Sequence, residues 1–246
     1  MYVVLVVCLL AVVQSLFGVG LLLFGTPTLL LMGLSFQEAL QVLLPASLTL
    51  SILQLWADGM NDTVKPSLAI WPLPGLAIGL WIALESGFDI KLELIAAILL
   101  VISATLRLSG GVSLRVRALM RRSNRVAMAI IGLVHGLTNL GGSLLTDYAS
   151  TCEEDKKRCR QFIAFGYAIF AFTQIVLITI FKGYSTWSIT SLGYAVLGGV
   201  IYMALGRHVF FKFSQQRYSV ALSIFMLCCA SVLTAKYFQL FPTVHS

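Results

Sequence analysis

Charge is scarce in this 246-residue chain: Asp, Glu, Lys and Arg together make up 11% of it, and only 10 residues are acidic. Soluble domains carry about 25% charged residues, so a water-facing surface of ordinary extent is excluded. No HExxH motif occurs, and no pair of carboxylates lies inside an apolar segment, which removes the constellations that an intramembrane hydrolase needs. The chain therefore reads as a non-enzyme. The five cysteines, Cys8, Cys152, Cys159, Cys228 and Cys229, form no CxxC pair. Cys152 and Cys159 are near enough to meet across a loop, but an odd count without paired spacing carries no metal-site or disulfide signal, and no cofactor is implied. The first apolar run has no Lys or Arg before it and no small-residue cleavage site before Gly18, so residues 1–17 belong to the mature protein rather than to a signal peptide.

What is present is hydrophobic sequence, 59% of the chain, in segments at roughly 1–34, 38–57, 67–84, 94–108, 126–147, 161–181, 187–206 and 218–235. Runs of this length and polarity define an all-α polytopic membrane protein, with the lipid bilayer as its first partner. The formal charge of +7 sits mostly in short connectors. It is a topology signal rather than a nucleic-acid footprint. The long basic connector, 109–125, separates a first transmembrane repeat, 1–108, from a second, 126–246.

The two halves are alike in order. Each opens on a Gly-interrupted segment, and each second segment carries two glutamines thirteen residues apart, Gln41 and Gln54, then Gln161 and Gln174. The third segments are rich in glycine, with Gly75 and Gly79 in one and Gly193, Gly198, Gly199 and Gly206 in the other. If all eight segments cross, the basic residues divide nine against eight. If the two interrupted segments are re-entrant hairpins, fourteen lie on the cytoplasmic side and only Lys91, Lys182 and Lys236 outside. The positive-inside rule selects the second arrangement. Each half is then a broken helical hairpin plus three crossings, and an odd number of crossings makes the repeats inverted. Residues 1–17 as helix reach about 25 Å, however, so the first hairpin has the length of a pair of nearly full spans.

The interruptions are Phe17-Gly-Val-Gly-Leu-Leu-Leu-Phe-Gly-Thr-Pro27 and His135-Gly-Leu-Thr-Asn-Leu-Gly-Gly-Ser143. Unwound backbone at membrane depth is tolerated only where protein or a cavity surrounds it, and a matched pair of breaks points to a transporter's binding site. Thr26 is expected to cap a helix that starts at Pro27 and runs to about Leu34, which puts Gly25 and Thr26 about 13 Å deep, level with Ser47. Ser143, after Gly141 and Gly142, is the expected cap in the second half, level with Tyr167. Two helix N-termini then face the midplane from opposite sides, and such termini favour anions.

No Lys or Arg is expected deep in a span. The candidate substrate-binding groups are therefore neutral: Gly25, Thr26, Ser47, Gln54, Thr138, Asn139, Gly142, Ser143, Tyr167 and Gln174. His135 is the titratable residue beside a break, and an imidazole with a reference pKa near 6.5 suits a coupling proton. The alternative is a ring bonded to a backbone carbonyl. Asp147 is expected at the cytoplasmic mouth and Glu38 at the outer one. Trp56, Trp71, Trp81 and Trp187 read as interfacial anchors, and Ser and Thr elsewhere as residues bonded to their own helix.

Gly18-Val-Gly20 with Gly25-Thr-Pro27 and Gly33-Leu34, Gly136-Leu-Thr-Asn-Leu-Gly-Gly-Ser143 and Gly206-Arg-His-Val-Phe210 resemble the sulfite exporter TauE/SafE family of sulfur-containing-anion permeases. The resemblance spans the chain, although Leu21-Leu-Leu-Phe24 stands where more glycine is expected. It implies secondary export or import of sulfite, a related oxyanion or an organosulfonate, with the site between the repeats. The chain is accordingly expected to be a multi-pass permease of the cell inner membrane, with protons carried by His135 as the coupling ion. No cysteine lies near either break, which argues against a thiol relay. The alternative from another class is an accessory membrane protein that keeps a permease fold without transporting.

Overall fold

A backbone N–H or C=O left unpaired in hydrocarbon costs several kcal/mol, so a chain this apolar satisfies its backbone within helices. The computed structural model describes residues 2–59, 70–85, 92–108, 124–153, 155–206 and 215–238. Its helices are α1 (Tyr2–Phe17), α2 (Leu21–Leu31), α3 (Phe36–Asp58), α4 (Pro72–Glu85), α5 (Leu92–Leu108), α6 (Asn124–Thr138), α7 (Gly142–Cys152), α8 (Lys156–Lys182), α9 (Ile189–Ile201) and α10 (Gln215–Tyr237). A 3-10 turn at Tyr184–Thr186 precedes α9, which continues into a π turn at Tyr202–Gly206. No strand occurs among the described residues. The expected segments are all represented, and the first and fifth are each split in two. Asn124 and Arg125 belong to α6 rather than to the connector. Residues 109–123 lie outside the described residues, as do 207–210 of the Gly206–Phe210 motif.

Two described helices, α3 and residues Lys157–Lys182 of α8, are long and apolar enough to cross a bilayer unaided, with mean hydropathies of 1.5 and 2.1. They pack along each other at the centre, and the end of α3 meets the start of α8. The hairpins α1–α2 and α6–α7 lie against them. Helix α9 of the second half covers α3 and α1 of the first, α4 of the first half covers α6 and touches α8 of the second, and α5 and α10 pair with each other.

Polarity is reversed relative to a water-soluble protein. Gln14, Ser47, Ser51, Gln54, His135, Asn139 and Gln174 are buried, while Trp56, Ile180 and Ile189 are 79%, 69% and 82% exposed. An outer face of this kind is stable against lipid tails and not against water. Trp71 and Trp81 are also exposed, as anchors would be, and the Arg125 guanidinium lies 4.8 Å from the centre of the Trp71 ring. Trp187 differs: its indole N–H donates to Thr179 Oγ1 at 2.8 Å, and the ring packs against the core.

Lipid supplies no hydrophobic drive between helices, so close contact depends on small residues. A Cβ placed on Gly75 or Gly79 of α4 would stand 2.3 and 2.4 Å from the carbonyl oxygens of Ala129 and Leu133, and one on Gly132 or Gly136 of α6 would stand 2.0 and 2.2 Å from those of Pro72 and Leu76. Backbone therefore meets backbone, and no side-chain movement can make room. Gly198 and Gly199 set α9 against Ala46 and Thr49 of α3 at ordinary distance, whereas Gly193 faces open space. Gly136→Leu is expected to abolish the monodisperse gel-filtration peak of the detergent-purified protein, whereas Gly193→Ala should stay within about 0.5 kcal/mol of wild type in thermal unfolding.

Candidate functional site

The first break is held by Gln14. Gly18 takes a positive φ of 72°, its amide donates to the Gln14 carbonyl at 2.8 Å, and the chain turns back so that Leu21 N donates to the Gln14 side-chain Oε1 at 3.1 Å. The carboxamide of Gln14 thus occupies the N-terminus of α2. Its Nε2 lies 3.3 Å from Ser47 Oγ and 3.2 Å from Ser51 Oγ, and its backbone carbonyl also accepts Gln54 Nε2 at 2.9 Å. A Cβ at Gly20 would strike the Gln14 backbone at 2.6 Å, so glycine is required for this close return.

The second break repeats that path with other side chains. Asn139 is the described non-glycine residue with positive φ, at 62°, a conformation that asparagine tolerates better than most. Its amide donates to the His135 carbonyl at 2.7 Å, and a Cβ at Gly141 would strike His135 N at 2.8 Å and Ile131 O at 2.6 Å. Gln14 and His135 therefore occupy the same place in the two breaks. The His135 ring is fully buried, 4.6 Å from the Phe170 ring centre and 6.0 Å from that of Tyr167. Gln174 lies beside it. The Gln174 side chain is near enough to the ring to interact with it, but neither ring nitrogen of His135 and neither polar atom of Gln174 has a partner at full hydrogen-bond geometry, and His135 is not bonded to a backbone carbonyl. The Tyr167 hydroxyl packs on Gly142, in the space a side chain there would fill.

The two breaks meet. Asn139 Nδ2 donates to Thr26 Oγ1 at 2.8 Å, joining the second break to the middle of α2. Turning the amide over preserves the bridge, with the Thr26 hydroxyl donating to the Asn139 oxygen instead.

Both expected caps need correction. Helix α2 starts at Leu21 and ends at Leu31, with Gly20 as its cap and Pro27 inside it. Thr26 is a mid-helix residue, because Gln14 satisfies an amide that would otherwise have delayed helix formation. Helix α7 starts at Gly142 with Gly141 as its cap, and Ser143 Oγ donates to Leu140 O at 3.0 Å rather than capping. Thr138 Oγ1 donates to Val134 O and accepts from Leu140 N, closing the end of α6. Gly25 packs on Leu43 and marks a close helix approach. Of the candidate residues, Thr26, Asn139, Gly142, Tyr167, Gln174 and His135 gather at the junction, while Ser47 and Gln54 serve Gln14. Glu38 forms a capping box with Ser35 at the start of α3, and Asp147 lies along α7. The five cysteines are free thiols.

Sequence reasoning missed Gln14, and it also missed a buried cation. Arg160, near the start of α8, is 4% exposed and forks onto Asp58 at the end of α3: Nε donates to Oδ2 at 2.8 Å and Nη2 to Oδ1. Its Nη1 reaches Ser15 O in the last turn of α1 at 3.4 Å, and Gln161 Nε2 donates to the carbonyls of Asp58 and Gly59. This cluster ties the end of α3 to the first break. Its sequence signal is an Asp at the close of one apolar segment facing an Arg-Gln pair at the opening of another.

Fold and breaks together define an all-helical membrane protein with two discontinuous helices, an arrangement used by secondary transporters. The family model for the sulfite exporter TauE/SafE matches residues 3–233, and the chain belongs to that family. No curated protein and no solved structure matches the chain. Membership places it in a family of membrane anion transporters.

A double-mutant cycle on Thr26→Val and Asn139→Gly, read by thermal unfolding, is expected to give a coupling of about 0.6–1.7 kcal/mol, the range for interhelical hydrogen bonds in membranes. Glycine retains the positive φ, so the cycle isolates the side-chain bridge.

Proposed function

We propose that the chain is a multi-pass secondary transporter of the cell inner membrane that moves a small anion, a sulfur-containing oxyanion or organosulfonate such as sulfite, by alternating access of two inverted repeats, 1–108 and 126–246. The observation that carries this reading is that both short helices, α2 and α7, begin inside the protein among neutral polar groups, with Asn139 of the second break bridged to Thr26 of α2. Oriented amides at a helix start attract anions, and a site without arginine forks lets the anion leave again.

The packing supports the inverted arrangement. Exchanging each helix of one half for its counterpart turns the contact of α1 with α9 into that of α6 with α4, and the contact of α3 with α9 into that of α8 with α4; the α3–α8 and α5–α10 pairs are unchanged. Three end-to-end contacts agree with the sidedness set by the basic residues. Asp58 with Arg160 and Trp71 with Arg125 join ends assigned to the cytoplasm, and Glu85 with Lys182, at 2.6 Å, joins ends assigned outside. In this mechanism the repeats rock about the junction, and the break residues replace the anion's hydration shell. His135 carries the coupling proton, so a monoanion such as hydrogensulfite or a sulfonate crosses with one proton as a neutral pair.

The test is flux into liposomes containing the purified protein. Sulfite or a short sulfonate should enter well above empty liposomes, a carboxylate should not, and an inward-directed pH gradient should accelerate uptake. Whatever flux His135→Ala retains at saturating substrate should show no acceleration by the gradient. A folded preparation that moves none of these solutes would refute the transport reading, and unchanged gradient dependence in His135→Ala would refute proton coupling through this residue.

A further inference from the structure

The two breaks follow one backbone path but differ in what fills their mouths. At the start of α2 the Gln14 carboxamide oxygen accepts the Leu21 amide, and the same side chain holds Ser47 and Ser51 with its nitrogen. That oxygen is chemically what an oxyanion would offer there: a partial negative charge facing the first amide of a helix. The protein thus supplies its own substitute for an anion at this helix end.

At the start of α7 the corresponding residue is His135. Its side chain presents no carbonyl, and neither nitrogen of its ring has a partner at hydrogen-bond geometry. Beside it the Gln174 side chain, also 0% exposed, leaves both polar atoms without a partner at hydrogen-bond geometry. Asn139 leaves its carboxamide oxygen unbonded after bridging to Thr26 or, with the amide turned over so that the Thr26 hydroxyl donates to that oxygen, the NH2 donor that an oxyanion needs. A buried polar atom without a partner costs about 1–3 kcal/mol, and here several are gathered around one helix start. A neutral imidazole has one donor and a carboxamide two, enough to replace part of an oxyanion's hydration. Gly141 and Gly142 hold this mouth narrow, with the Tyr167 hydroxyl against Gly142.

From this asymmetry we infer that the anion site is one-sided: His135, Gln174 and Asn139 hold a small oxyanion at the start of α7, while the start of α2 is closed by Gln14 and takes none. The inference rests on the permease reading and assigns the binding residues within it. Gln54, the counterpart of Gln174, fits the scheme, because its nitrogen is already committed to the Gln14 backbone at 2.9 Å.

The experiment is calorimetric titration of the purified full-length protein in detergent with sodium sulfite at constant ionic strength, under nitrogen. Wild type should bind one sulfite per chain. His135→Ala and Gln174→Leu should each weaken binding tenfold or more, and Gln14→Met, which keeps side-chain length and removes the carbonyl, should change it less than threefold. Gel filtration of each variant reports folding, and Gln174→Leu carries the test if His135→Ala does not fold. The reverse pattern, in which Gln14→Met is the damaging change, would overturn the inference in favour of the α2 side. Equal losses in all three would overturn it in favour of a site shared by both mouths. A folded wild-type protein that binds no sulfite would count against the permease reading itself for this anion, a result distinct from either pattern among the variants.

Discussion

A helix that breaks inside a membrane leaves amides and carbonyls that lipid cannot satisfy, and the interior of this protein is arranged around two such breaks. Gln14 and His135 stand at the same point in each, four residues before the residue with positive φ, and each gives its own carbonyl to the returning chain. Around them lie the buried polar side chains of α3 and α8, the two longest central helices. The apolar exterior follows from the same constraint, since polar groups concentrated around the breaks leave the outer faces to Leu, Ile, Val and Trp.

Close backbone packing then fixes how far the breaks can move. Between α4 and α6 the four glycines bring main chains into direct contact, so α4 and the long arm of the second hairpin form one rigid pair. The first hairpin has no counterpart of that density. Its long arm touches α9 more lightly and is tied instead at its last turn, where Arg160 reaches Ser15 while paired with Asp58. Removing one member of a buried ion pair strands the other, at about 3–5 kcal/mol, so the cluster is a strong tie only while complete. Two hairpins of similar path are thus anchored by different physics, one by van der Waals contact and the other by charge.

The breaks themselves were legible because glycine and asparagine in a long apolar run are hard to explain otherwise, and Gly18, Gly20, Asn139, Gly141 and Gly142 all fall at the turns. The placement of Tyr167 beside the second break also followed from segment lengths alone. Helix starts were not legible in the same way. Thr26-Pro27 has the residue types of a cap and a first helical position, but a cap preference is worth about 1 kcal/mol, and the bond from Leu21 N to Gln14 let the helix begin earlier. That bond depends on a side chain seven residues back returning across a turn, which no local pattern records.

The sequence by itself determined that this is an all-helical membrane protein of the sulfite exporter TauE/SafE family, with two interrupted helices and its positive charge gathered mostly in short connectors. Hydrophobic run length, glycine position and charge are properties of residues taken in order, and the membrane reads them directly. Tertiary structure decided which polar groups the fold uses and which it leaves unbonded. Gln14 and Gln174 are the same residue type in apolar helices, yet one closes a helix end and the other lies unpaired beside His135. Arg160 takes its role only because the end of α3 brings Asp58 against it. Hydrogen bonds in a low-dielectric interior are strong and short-ranged, so the role of each polar residue is fixed by its neighbours in space, many of them far away along the chain.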